Sequence, residues 1–178
     1  GKPQPTALAM TNLLRFSACT SLVLALVGLT GCNNTPPPLH RLANPFVGTG
    51  GHGHTYPGAT APFGMVQLSP DSRLTGWDGC GGYHYSDSVI YGFSHTHLQG
   101  TGVSDYGDIL FAPCTQFNEG ATHWSDRYAS HFSHDNEEAH AGYYQVYLDD
   151  QKINVELTAT ERVGIHRYRL EEPDTLSL

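Results

Sequence analysis

The chain has 178 residues, of which 39% are hydrophobic and 15% are charged, and its formal net charge is −8. This length and hydrophobic share suit one globular domain with a buried core, whereas twenty glycines and eleven prolines argue against a helical bundle. The negative charge offers no field that attracts phosphate backbones, which argues against nucleic-acid binding. Ten tyrosines and eleven histidines are typical of a site that stacks and hydrogen-bonds a ligand.

Residues 1–31 read as a signal peptide preceded by a few upstream residues. The apolar run from Ser17 to Leu29 is too short to span a bilayer but has the length of a signal-peptide core. It leads into Leu29-Thr30-Gly31-Cys32, which resembles the bacterial lipobox, and a proline-rich tether over residues 32–40 follows. We expect cleavage before Cys32 and lipidation of its thiol. Because Asn33 replaces the aspartate typical of inner-membrane retention, we expect an outer-membrane anchor, on the periplasmic or cell-surface side.

The part of the chain from residue 41 to residue 178 reads as short strands separated by Gly, Pro and Asp, without sustained helical periodicity. In chain order, strands are predicted over Gly64–Leu68, Val89–His97, Asp108–Ala112, Tyr143–Leu148, Ile153–Thr158 and Val163–Leu170. The fourth and fifth form the best hairpin, with Asp149 to Lys152 as the turn. The predicted fold is therefore all-β, an antiparallel β-sandwich, and we expect it to be truncated because no strand follows the last one.

Two histidine pairs and one glycine-rich loop stand out before residue 100. The loop from Gly48 to Gly53 satisfies G-x-G-x-x-G, but the prolines around it leave no room for the helix that a dinucleotide site needs. His52 and His54, like His95 and His97, are spaced to put both imidazoles on one face of a strand. That spacing suits a metal ion, but no further ligand motif accompanies it. Substrate contact or loop structure is favoured, and no metal ligand is assigned.

The segment from Gly76 to Asp87 is the densest in chemical groups. Trp77, Asp78, Tyr83 and His84 lie there among four glycines, an inventory that suits the stacking and hydroxyl binding of a sugar ring. A tryptophan in the sandwich core beside a polar loop is the alternative. Asp105 and Asp108 are too close in sequence to be favoured as a catalytic pair, and no catalytic residue is assigned. Whether Cys80 and Cys114 form a disulfide stays open.

Five blocks in register resemble the beginning of glycoside hydrolase family 92. They are Asn44–Ala59, Ala61–Asp71, Gly76–Asp87, Gly92–Gly102 with 107–110, and Glu156–Gly164, and the resemblance runs from about Leu39 to Leu170. It implies calcium-dependent, exo-acting α-mannosidases that trim N-glycans or mannan by an inverting mechanism and are secreted or lipid-anchored. Family members combine an N-terminal β-sandwich with an (α/α)6 barrel that carries the general acid, the general base and most calcium ligands.

By this resemblance the chain is the N-terminal domain of a lipid-anchored α-mannosidase whose barrel is missing. It is expected to contribute Trp77, Asp78, Tyr83, His84 and the four paired histidines to a pocket for terminal α-mannosides, and to be inactive alone. Trp77 matches a residue that shapes the leaving-group subsite of α-1,2-acting members. The alternative functions are a non-catalytic carbohydrate-binding surface lipoprotein and a structural or metal-binding module built on His52, His54, His95 and His97.

Overall fold

The computed structural model describes residues 36–172 and 176–178. The predicted signal peptide, Cys32 and the first part of the tether lie outside the described residues, so their predictions are not addressed by the fold. Within the described part of the chain, no helix has the length and apolar character needed to cross a membrane.

The described residues contain nine strands and three short 3-10 helices. The strands are β1 (Ala59–Thr60), β2 (Gln67–Asp71), β3 (Val89–Ile90), β4 (Gly92–Ser94), β5 (Ser130–His131), β6 (Glu137–His140), β7 (Tyr143–Leu148), β8 (Ile153–Ala159) and β9 (Gly164–Leu170). The 3-10 helices span Leu39–Arg41, Trp124–Arg127 and His134–Asn136.

Every strand pairing in this part of the chain is antiparallel, and three sheets result. Strands β6, β7, β8 and β9 form a four-stranded meander, β1, β2 and β4 form a second sheet, and β3 pairs with β5. Strands β1 and β2 pack across β7 and β8, so that the two larger sheets enclose the core. The predicted all-β, antiparallel β-sandwich is confirmed.

The predicted hairpin forms with the predicted faces. Tyr144 pairs with Leu157 and Val146 with Val155, and all four side chains are buried in the core. On the outer face Glu156 accepts hydrogen bonds from Arg167, and Arg169 lies 3.0 Å away. The hydrogen bond from Arg167 is the main reason that the pKa of Glu156 lies below its usual value.

The earlier strands differ from the prediction where the backbone turns. The strand predicted over Gly64–Leu68 instead begins at Gln67, because a turn closed by Gly64 N and Ala61 O precedes it. The strand predicted over Val89–His97 divides at Tyr91 into β3 and β4, which belong to different sheets. The strand predicted over 108–112 is wrong, because Ile109 has a φ of +57° and only Phe111 bridges to β4.

Candidate functional site

Three loops meet around Trp77 and expose its indole. The Trp77 cluster comprises Trp77, Asp78, His52, His54 and Gly102. The indole is 65% exposed, and the His54 ring meets it edge-on at 5.4 Å between centroids. A Cβ at Gly102 would lie 2.2 Å from the Trp77 ring, so the indole rests on a residue that must lack a side chain. The cluster therefore presents a broad, solvent-facing aromatic surface.

Asp78 is the carboxylate of the Trp77 cluster, and two histidines flank it. The Nδ1 atom of His52 lies 3.0 Å from Asp78 Oδ1, and that hydrogen bond is the main reason that the pKa of Asp78 is lowered. The Nε2 atom of His54 is 3.9 Å from the same oxygen and is buried without a hydrogen-bond partner in the described part of the chain. Asp78 therefore stays ionised at neutral pH and can accept hydrogen bonds from hydroxyl groups beside the indole.

Cys80 ties the Trp77 segment to the loop on which the indole rests. Its thiol is buried and contacts the Thr101 carbonyl oxygen at 2.7 Å, one residue before Gly102. Within the described part of the chain, Cys80 and Cys114 are free and do not form a disulfide with each other. Among residues 36–172 and 176–178, a hydrogen bond and not a disulfide therefore connects the loops around Trp77.

Tyr83 and His84 are buried beneath the cluster. The His84 Nε2–H group donates to the Gly51 carbonyl oxygen at 2.9 Å, and Nδ1 accepts from Ser86 Oγ at 2.8 Å. The Tyr83 hydroxyl donates to the Glu137 carboxylate at 3.0 Å. The pKa of Tyr83 is raised strongly, mainly because the side chain is buried and secondly because the Glu137 carboxylate is nearby. Both side chains are engaged inside the protein, so their positions support a role in holding the loops.

The predicted His95 and His97 pair is split by the fold. His97 is buried, with Nδ1 2.7 Å from the Gln67 carbonyl oxygen and Nε2 3.1 Å from Asp71 Oδ1. His95 lies at the meander, where its Nε2 is 3.3 Å from His166 Nε2. Neither ring takes part in the Trp77 cluster, because β4 ends before both residues and their side chains then diverge.

The described residues do not fit a calcium ion. No group of three or more His, Cys, Asp or Glu side chains in residues 36–172 and 176–178 lies close enough to hold a metal. Asp78 is the one carboxylate of the Trp77 cluster, whereas calcium takes six to eight oxygen ligands.

Sequence reasoning missed a buried carboxylate and a second polar groove. Glu137 is almost fully enclosed and accepts from Tyr83, from Tyr144 at 2.6 Å and from His134 at 2.6 Å. Its position in a Glu-Glu-Ala-His strand gave no hydrophobic signal. The groove, around Phe117 and His131, is built from segments far apart in the chain, so no local pattern marks it.

Comparison with known proteins identifies the family. The family model described as "Glycosyl hydrolase family 92 N-terminal domain" matches residues 42–178. A protein of Arthroderma benhamiae described as an uncharacterized secreted glycosidase is 32% identical over 133 residues, which are 72% of this chain and 17% of that protein.

Solved structures from Bacteroides thetaiotaomicron agree. A family 92 α-mannosidase in complex with mannoimidazole is 44% identical, with a TM-score of 0.71, over 78% of this chain and 19% of that one. A family 92 inverting mannosidase is 29% identical, with a TM-score of 0.55, over 70% of this chain and 16% of that one. The chain thus spans less than a fifth of each of these three relatives. It belongs to glycosyl hydrolase family 92, and residues 42–178 correspond to the N-terminal domain of that family.

Proposed function

We propose that the chain is the glycan-binding N-terminal domain of an α-mannosidase that hydrolyses terminal α-mannosides, α-1,2-linked in N-glycans or mannan, with inversion. The observation that carries the proposal is the exposed indole of Trp77 beside the ionised Asp78. An aromatic face stacks on the C–H surface of a pyranose, and a carboxylate accepts hydrogen bonds from its hydroxyls. The 44% identity to an α-mannosidase supports mannose as the sugar.

In this proposal the Trp77 cluster binds and orients sugar and does not cut it. Inverting hydrolysis needs two carboxyl groups roughly 6.5–9.5 Å apart, one as acid and one as base. Asp78 is the one carboxylate of the cluster, so the cluster cannot supply this pair, and the general acid, the general base and any calcium site belong to other parts of the complete enzyme in this proposal. In this arrangement His52 hydrogen-bonds Asp78, and His54 packs edge-on against the Trp77 ring. Tyr83, His84, His95 and His97 act indirectly, by fixing the loops and the sheet.

Calorimetry with α-1,2-mannobiose tests the binding role. Trp77→Ala should weaken binding by about two- to thirteenfold, since an aromatic stacking contact contributes about 0.5–1.5 kcal/mol. Phe63→Ala is the matched control, because Phe63 is fully exposed and lies outside the cluster. Equal affinities for wild type and Trp77→Ala would refute the role of the indole.

A turnover assay tests whether this chain binds sugar without hydrolysing it. The 178-residue chain should release no mannose from α-1,2-mannobiose, with added calcium or with chelator. Calcium-dependent release by this chain would show that its own residues supply both catalytic carboxyl groups and would refute the proposal. Binding without release by the full-length protein would instead favour the alternative function, a non-catalytic carbohydrate-binding lipoprotein.

The proposed location is the outer membrane, through a lipid on Cys32. The supporting observation is the sequence Leu29-Thr30-Gly31-Cys32 between a short apolar run and a proline-rich tether. Intact mass of protein extracted from membranes should correspond to a chain that begins at an acylated Cys32. An unmodified chain that retains the upstream residues would refute the anchor.

A further inference from the structure

Two histidines meet where the two larger sheets come together at one end of the sandwich. His95 directly follows β4 in the three-stranded sheet, and His166 lies in β9 of the four-stranded meander. Their Nε2 atoms are 3.3 Å apart, and both residues are partly exposed. Neither ring takes part in the Trp77 cluster, so the pair is available for a function of its own.

The Nδ1 atom of each ring is already engaged, which leaves the two Nε2 atoms facing each other. His95 Nδ1 lies 3.0 Å from the Ile109 carbonyl oxygen, and His166 Nδ1 lies 2.8 Å from the Tyr168 hydroxyl. Phe111 packs against both imidazoles, with its ring centroid 5.4 Å from each of theirs. Histidines that bind a metal through one nitrogen almost always hydrogen-bond through the other, which fixes the ring. The pair has this arrangement.

The separation of the two rings matches two ligands of one tetrahedral ion. Zinc–imidazole bonds of about 2.0–2.1 Å place the two nitrogen atoms about 3.3–3.4 Å apart at the tetrahedral angle and about 2.9 Å apart at a right angle. The observed separation is 3.3 Å. The ring centroids are 5.0 Å apart. Rings that converge on one ion would have centroids about 5.2 Å apart, and rings that point straight at each other in a linear hydrogen bond about 5.6 Å apart.

Gly164, the first residue of β9, allows His95 to lie close to that strand. A Cβ at residue 164 would lie 2.8 Å from Cδ2 and 3.0 Å from Nε2 of the His95 ring, so this approach needs a residue without a side chain. The position of His95 therefore depends on the sequence of β9. It also follows that a substitution at Gly164 can displace one of the two histidines without removing it.

We propose that His95 and His166 bind one zinc ion through their Nε2 atoms, with water molecules as the remaining ligands. Imidazole suits zinc, copper and nickel, and the tetrahedral separation of the two nitrogen atoms favours zinc among them. The site has two protein ligands, since the described residues bring together no group of three or more ligating side chains. The ion connects the two sheets and stabilises the sandwich, a role separate from sugar binding.

Binding requires one proton to change its place. Without zinc, His95 Nδ1–H donates to the Ile109 carbonyl oxygen, and His166 Nε2–H donates to His95 Nε2. When zinc binds, the His166 proton leaves Nε2 and the ring is protonated at Nδ1 instead. The Tyr168 hydroxyl oxygen then accepts from Nδ1–H, because a hydroxyl can donate or accept. Both imidazoles stay neutral, and zinc replaces a single long hydrogen bond.

Calorimetry with zinc chloride tests the site. The 178-residue protein should bind zinc, and His166→Gln and His95→Gln should each weaken that binding by more than about 100-fold, beyond the effect of losing a partner of a ligand. His131→Gln is the matched control, because that histidine is exposed beside the Asp150 carboxylate and should leave the affinity unchanged. No zinc binding by wild type, or equal affinities for wild type and His166→Gln, would overturn the inference.

Two further variants keep both ligands and decide the question if a histidine variant fails to fold. Tyr168→Phe removes the hydrogen-bond partner of His166 and should weaken zinc binding by about tenfold or more. Gly164→Ala should weaken it as well, because the new Cβ displaces the His95 ring. Wild-type affinity in both variants would contradict the site.

Cobalt absorption reports the geometry of the bound ion. Cobalt(II) in place of zinc should give the intense visible bands of a tetrahedral ion in wild type and in His131→Gln, and these bands should be absent in His166→Gln. The weak bands of an octahedral ion in wild type would overturn the tetrahedral site.

Urea unfolding tests whether zinc stabilises the sandwich. At free zinc about 100 times the measured Kd, the ratio of folded to unfolded wild type should rise about 100-fold over its value in chelator, and that of His166→Gln should not. No rise in wild type would overturn the link between the sheets. Mannobiose binding by the zinc-free protein is measured separately, so a failure of the zinc site leaves the proposed function standing, and the reverse also holds.

Discussion

We expect acidification to destabilise the sandwich through His166. This residue is the second of two histidines in a row of hydrogen bonds that runs from Ile109 to Tyr168. His95 Nδ1 lies 3.0 Å from the Ile109 carbonyl oxygen, so that nitrogen carries the proton and His95 Nε2 is an acceptor. His166 Nε2, 3.3 Å away, must then donate to it, and His166 Nδ1 accepts from the Tyr168 hydroxyl at 2.8 Å. A further proton on His166 Nδ1 removes the acceptor of the Tyr168 hydroxyl and places a positive charge on a partly buried ring.

The size and sign of the effect follow from the pKa of His166. Burial first, and His95 second, lower that pKa from 6.5 to about 4. The unfolded chain therefore takes up this proton first as the pH falls, so the contribution is complete above pH 6.5 and is lost progressively towards pH 4. At about 1.4 kcal/mol for each pH unit the limit is about 3.5 kcal/mol, and solvent contact of the partly exposed ring reduces it to roughly 2 kcal/mol.

Urea unfolding at a series of pH values between about 7 and 4.5 measures this contribution. The wild-type free energy of unfolding should fall by roughly 2 kcal/mol more than that of His166→Gln across this range. His123→Gln is the matched control, because that side chain is exposed, and it should retain the wild-type slope. Carboxyl groups with lowered pKa values, such as Asp150 and Glu156, also begin to lose their contribution near the lower end of this range, but they do so equally in wild type and His166→Gln, so the comparison cancels them. Parallel profiles for wild type and His166→Gln would refute the reasoning.

Three further substitutions test the site and its supports. Gly102→Ala should displace the Trp77 indole, because the new Cβ would lie 2.2 Å from it. Calorimetry should show weaker mannobiose binding, while the urea midpoint stays nearly unchanged; an unchanged affinity would contradict the stacking geometry. Glu137→Gln replaces a buried carboxyl group that accepts hydrogen bonds from two tyrosines and one histidine, and it should lower the free energy of unfolding by about 2–3 kcal/mol. A loss below about 0.5 kcal/mol in urea unfolding would show that stability does not depend on these hydrogen bonds. Glu156→Gln should cost less than about 1 kcal/mol in the same assay, because its arginine partners are more than half exposed and water screens them; a larger loss would contradict that screening.

The meander was predictable because its hydrophobic pattern has a single interpretation. In β8 the apolar residues Ile153, Val155 and Leu157 alternate with polar residues along the whole strand. A shift of the strand register by one residue would move all three to the solvent-facing side. The two-residue strands carry no such pattern. Ser130–His131 is a strand only because the distant Val89–Ile90 pairs with it, so its extent is set by tertiary structure. Ala59–Thr60 pairs with the nearby β2, and its two residues are too few to show a periodicity. Ile109 shows the reverse case, where an apolar run is interrupted by a positive φ that its sequence does not predict.

The candidate site was predictable in composition but not in arrangement. The segment from Gly76 to Asp87 does hold the exposed Trp77 and the ionised Asp78. The spacing of His95 and His97 indicated a shared face, yet the strand ends at Ser94 and the rings separate. A two-residue periodicity applies only while the backbone stays extended, and the sequence did not show where it stops.

Burial explains why so many histidines serve a glycine-rich domain. Glycine-rich loops lack side chains with which to pack. The loop that has positive φ at Gly76, Gly79 and Gly82 therefore needs contacts from other residues to hold its backbone in place. An imidazole has two nitrogens that can link two backbone segments, as His84 links Gly51 to Ser86. Most of the predicted histidines are thus better placed to hold loops than to touch sugar. The direct contacts of the proposed site therefore fall to Trp77 and Asp78, which is why substitutions at the supports should change stability and those at the indole should change affinity.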